Sequence, residues 1–101
     1  MSGGHFDYDQ HRIDQIADKI DELIFYNGSD DIDEYGYLKH QSYPPDIIEN
    51  FKMAVNKLRD AYVYAQRIDW LVSGDDGEDS FRKRLALDLA KRRPYDVEQQ
   101  P

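Results

Sequence analysis

A chain of 101 residues with no cysteine and a formal charge of -8 has room for one domain, and it excludes a disulfide framework and a thiolate zinc site. At 11.9 kDa it buries roughly 65% of the surface its unfolded chain exposes, which allows a core but a thin one. The ten opening residues are polar and no 18 apolar residues follow one another, so neither a signal peptide nor a membrane span is expected, and the expected compartment is the cytoplasm.

The acidity is concentrated in one half. Residues 1–50 hold twelve acids and three bases, whereas residues 51–101 hold nine acids and ten bases. Between Ser80 and Arg93 the bases Arg82, Lys83, Arg84, Lys91, Arg92 and Arg93 face only Asp88. Opposite charges so divided attract within one chain or between copies.

The first helix is predicted from Asp9, read as its N-cap, to Asn27-Gly28, a pair that tolerates the left-handed conformation of a helix end. Ile13, Ile16, Ala17, Ile20, Leu23 and Ile24 recur at steps of three and four and form its apolar stripe. Asp14, Asp18, Lys19, Asp21 and Glu22 read as its solvated face. The segment before it, residues 1–8, is a possible docked arm, since Phe6 and Tyr8 are apolar enough to bury.

From 28 to 44 the periodicity breaks into a long loop, a length that in compact domains often carries function. Tyr35, Tyr37 and Tyr43, set among Asp31, Asp33 and Glu34, supply rigid amphipathic contact area of the kind binding loops use. They are the candidate partner-binding residues. The alternative is that the tyrosines only close the end of the bundle.

A second helix, 45–73, begins with Pro45 in its first turn and carries one long stripe from Ile47 to Val72. Val63, Tyr64, Trp70 and Leu71 add apolar surface in other directions, so this helix is expected at the centre, touching two neighbours or another subunit. After the turn at Gly74-Asp75-Asp76-Gly77, a third helix, 77–93, is expected to be capped by Asp76 with Asp79 as capping-box partner. Phe81, Leu85 and Leu89 face inward, and Pro94 stops it. Residues 94–101 read as a flexible tail. The fold class is all-α: one domain, a three-helix antiparallel bundle with a long central second helix, and a homo-oligomer, most simply a dimer, because that helix shows more apolar surface than two neighbours cover.

The chemistry-bearing motifs are weak. His5, Asp7, Asp9 and His11 alternate, as metal ligands on an extended arm would, but a helix is expected to start there. The acidic runs Asp30–Glu34 and Asp75–Asp79 lack the ligand spacing of a calcium loop. No cysteine, nucleophile elbow or phosphate loop is present, so no catalytic residue and no cofactor is assigned and an enzyme is not expected. Net acidity argues against nucleic acid as a partner, although an acidic first helix could mimic DNA phosphates.

Two stretches, Ser2-Gly3-Gly4-His5-Phe6-Asp7-Tyr8 and the run from Gln66-Arg67-Ile68-Asp69-Trp70-Leu71 through Ser80-Phe81, resemble a family of small phage and prophage proteins. The resemblance spans most of the chain outside the 29–43 segment. It implies a phage accessory protein acting in the host cytoplasm, by occupying a host protein such as an antiviral defence factor or by sequestering a nucleotide signal. For the second mode the candidate ligand residues are His5 as hydrogen-bond donor, Tyr8 and Trp70 as stacking surfaces, and Arg67 as phosphate partner. The plain alternative has Trp70 in the core, Arg67 in an ion pair with Asp69 or a neighbouring acid, and His5 in a mobile arm.

Overall fold

The computed structural model describes residues 5–40 and 42–96, so Ser2-Gly3-Gly4 of the arm and residues 97–101 of the tail lie outside it. Three helices follow in order: α1 Gln10–Phe25, α2 Pro45–Val72 and α3 Glu78–Lys91. Each boundary falls within a residue or two of its sequence expectation. The reason is local punctuation: left-handed Gly28 and Gly74 follow α1 and α2, and Pro45 opens α2.

The caps differ from expectation in detail. Asp9 occupies the N-cap position of α1, but its backbone is already helical and its carboxylate makes no cap bond. The chain instead enters α1 through a turn in which Asp7 (φ 51°) and Tyr8 (φ 65°) are left-handed and the Asp9 N–H donates to the Phe6 carbonyl at 2.9 Å. At α3 the N-cap is Gly77 rather than Asp76. The Ser80 hydroxyl receives the Gly77 N–H at 3.2 Å and binds the Asp76 carboxylate, which leaves Asp79 to pair with Arg82 at 2.9 Å.

α2 is the spine of the bundle. α1 packs antiparallel along one flank and α3 antiparallel along another, and α1 and α3 do not meet. The long stripe of α2 therefore divides. Val55 turns to α1 and is buried, while Ala61, Ile68 and Val72 are exposed. Ala17 and Val55 are the only apolar residues buried among those described, and no large side chain is fully enclosed. The core is a thin seam between two layers, in a body 18 Å across its shortest axis.

Polar bonds do much of the remaining joining. Arg92 reaches from the end of α3 to Asp60 at 2.7 Å and to the Asn56 carbonyl at 2.9 Å. Beyond it, Tyr95 is docked, contrary to the expected loose tail. Its N–H donates to Asn56 Oδ1 and its carbonyl accepts from Asn56 Nδ2, both at 2.8 Å, and its phenol binds Asp21 of α1. One side-chain amide that mimics a backbone partner is enough to order a segment that composition alone reads as free.

Candidate functional site

The segment between α1 and α2 is folded. Ile32 and Leu38 pair across an antiparallel bridge, the Asp33 N–H donates to the Tyr37 carbonyl at 2.8 Å, and the Lys39 N–H donates to the Asp31 carbonyl at 3.0 Å. Inside this small hairpin the Asp33 carboxylate accepts the N–H groups of Tyr35 at 2.8 Å and Tyr37 at 3.0 Å. Gly36, at φ 85°, makes the left-handed reversal that a side chain would strain. The sequence carried a signal for this: an aspartate two and four residues before the amides it caps, and a glycine between two tyrosines.

Both ends of the loop are clamped. Asn27 accepts the Tyr43 N–H at 2.7 Å and donates to the Tyr43 carbonyl at 3.2 Å, while His40 stacks on Tyr26 with ring centroids 4.6 Å apart. Tyr43, expected among the contact residues, lies half-buried with its ring edge-on to Phe51. It anchors the loop and does not share the exposed surface. The hairpin itself projects its apolar groups into solvent: Ile32, Tyr35, Tyr37 and Leu38 are 57, 77, 72 and 63% exposed. Asp31 and Glu34 lie exposed beside them, whereas Asp33 is occupied as the cap. The result is an aromatic tip with a fixed backbone and an acidic rim.

The residues assigned to a nucleotide pocket are engaged otherwise. Arg67 donates to Asp88 of α3 at 2.6 Å and its guanidinium lies 4.6 Å from the Trp70 ring centroid, so the cation is already paired and the indole already covered. The neighbouring acid is Asp88 on another helix, not Asp69. The described part of the arm, from His5 on, does dock, but through its backbone. The N–H groups of His5 and Phe6 donate to the Asp69 carboxylate at 2.6 and 3.0 Å, and buried Gln10 donates to Gln66 at 2.7 Å and to Asp69 at 3.5 Å. Asp69, 3% exposed, is a buried anion held by N–H groups. Tyr8 is exposed, with its ring 6.0 Å from that of His11. The turn at Asp7 and Tyr8 also removes the extended alternation of His5, Asp7, Asp9 and His11. Among the described residues no three histidine, aspartate or glutamate side chains form a metal-binding group.

The acidic face of α1 is partly internal. Arg59 on α2 holds Asp14 at 2.6 Å, Asp18 at 2.9 Å and Asp21 at 2.8 Å. Burial alone would lower the pKa of this guanidinium, but the hydrogen bonds it donates to the three carboxylates outweigh burial and raise the pKa. Those aspartates, spaced i, i+4 and i+7, share one side of α1, and Arg59, next to Leu58 of the α2 stripe, was the sign of their partner. One guanidinium offsets only part of the charge of three carboxylates, but it ties them to their own chain. The basic helix is likewise engaged, with Arg82, Arg84 and Arg92 all in ion pairs of their own chain.

No protein-family model, curated protein or solved structure matches the chain.

Proposed function

We propose that this chain is a binding protein that inhibits or modulates another protein by direct contact, with the Ile32–Leu38 hairpin as its recognition surface and a host protein as its target. The observation that carries this reading is the combination of order and exposure. Tyr35 and Tyr37 are clearly solvent-exposed, yet the hairpin backbone is held by the Asp33 carboxylate and by cross-strand bonds. A fixed aromatic tip loses little conformational entropy on binding, and tyrosines so placed are the side chains that dominate interface energies. Asp31 and Glu34 at its edge favour a partner with a basic rim around an apolar pocket. The host-directed role rests on the sequence resemblance to small phage proteins.

The test is a comparative capture from bacterial lysate with the native chain and the Tyr35→Ala/Tyr37→Ala double variant, followed by titration of any purified partner. The expected result is a partner retained by the native chain whose affinity falls by at least about 100-fold in the variant, with helical content unchanged. Equal retention by both chains would remove the hairpin as the recognition surface.

A further inference from the structure

We infer that the side of the α1–α2 pair turned away from α3 is covered by a second copy of this chain. Ala17 faces α2, so Ile16, one residue earlier, lies about 100° round α1, and Leu23 lies close to the same direction. On α2, Val55 faces α1, and Ala54, Ala61, Ile68 and Val72 are rotated from it by about 100–140° in the same sense. Because the helices are antiparallel, these two rotations point to one common side, and the α2 residues that meet α3, Asp60 and Arg67, lie on the other. A shallow hollow of about 320 Å³, lined by Phe6, Asp9, Gln10, Ile13 and Ala65, lies at the Gln10 end of the α1–α2 seam.

This side carries no charge among those six residues, and its large members are open to solvent: Ile16 and Val72 are each 51% exposed, Leu23 47% and Ile68 37%. The chain exposes 7696 Å², against about 6,000 Å² for a compact monomer of this mass. That total is spread over the hairpin as well as this side, and a standard interface takes roughly 800 Å² from each partner.

Shape selects a second copy as the occupant. Ile16 and Leu23 project from α1 seven residues apart, and Ala54 and Ala61 leave small gaps on α2 at the same seven-residue interval, about 10 Å. A two-fold axis parallel to the helices lays α1 of each chain over α2 of the other. The large residues of one row then meet the small residues of the other twice, and four helices close round a shared core. Both hairpins project from the same end of such a dimer. This inference stands on the apolar side alone and does not depend on what the hairpin binds.

Sedimentation equilibrium from low micromolar to high micromolar concentration tests it, using the full chain and the variants Ala61→Glu and Ile16→Lys. Both positions are solvent-exposed in the single chain, so the variants keep its fold, as circular dichroism will verify. The native chain is expected at twice 11.9 kDa, with association weakened more than about 100-fold in each variant by a charge placed in the interface. Mixing Leu23→Cys with Ala54→Cys in this cysteine-free chain is expected to give the mixed disulfide faster than either like pair. A single-chain mass throughout, which would give the face to a foreign apolar partner, overturns the inference. So does a dimer that both charged variants leave intact.

Discussion

The backbone N–H of His5 donates to the carboxylate of Asp69 at 2.6 Å, joining residues 64 positions apart and holding the start of the chain against the end of α2. The Phe6 N–H shares the same oxygen, and Gln10 approaches the other, so one buried carboxylate organises the entry into α1. Asp69→Ala is expected to cost about 2 kcal/mol, because hydrogen bonds to a charged acceptor are lost and N–H groups are left without partners. For a domain of this size that is a fall in Tm of roughly 10 °C. Hydrogen exchange at residues 5–10 should rise first, and Asp69→Asn, which keeps an acceptor oxygen, should lose less. Unchanged exchange in Asp69→Ala would show that the arm is held by other means.

Arg59 pairs with three aspartates that crowd one side of α1 and offsets part of their mutual repulsion. Arg59→Met is expected to destabilise by about 1–3 kcal/mol, the range between an exposed pair and a partly buried one. Added salt should recover part of the loss by screening the unpaired carboxylates. Arg59→Lys, with a single ammonium in place of a planar fork, should fall between the two. A urea midpoint for Arg59→Met equal to that of the native chain would contradict this account.

Two tyrosines set the alkaline limit. The hydrogen bond from the Tyr95 phenol to Asp21, then burial and the charge of Asp21, raise its pKa, with Arg59 opposing. Burial and the charge of Asp14 raise that of Tyr62. Since the folded state holds these protons more tightly than the unfolded chain does, their stabilisation is complete below about pH 10 and is lost as pH rises through the raised folded values. Denaturant midpoints should therefore be flat to about pH 9.5 and then decline. Tyr95→Phe should be less stable at neutral pH and decline less steeply. A midpoint that rises through this window is the contrary result.

The hairpin can be loosened without touching its aromatic groups. Gly36→Ala places a side chain at φ 85°, and Asp33→Ala removes the acceptor of two N–H groups. Each should weaken partner binding by about tenfold, the equivalent of roughly 1.4 kcal/mol of lost pre-organisation, with Tm nearly unchanged because the hairpin lies outside the helical seam. Relaxation measurements on the Tyr35 and Tyr37 amides provide the check. Order parameters that stay at native values would separate binding from hairpin rigidity.

The three helices, their antiparallel order and the central place of α2 were legible in the chain, because apolar period, proline and glycine act over a few residues. Tyr35, Tyr37 and Tyr43 had two readings, a contact surface or a cover for the end of the bundle, and the tertiary structure divides them: Tyr35 and Tyr37 are exposed, while Tyr43 packs against Phe51. What local pattern could not decide was which long-range partner each polar group would take. Asp14 and Asp21 read as solvent-facing until Arg59 lay opposite them, and Tyr95 read as tail until Asn56 offered it a backbone-like pair. Arg67 had two readings, a phosphate partner or one half of an ion pair, and α3 decided between them by bringing Asp88 within 2.6 Å. Those pairings depend on helix rotation and axial offset, which packing of the apolar seam sets. The same rotation split the α2 stripe in two, turning Val55 inward and leaving Ala61, Ile68 and Val72 exposed, a division that a helical period alone does not contain.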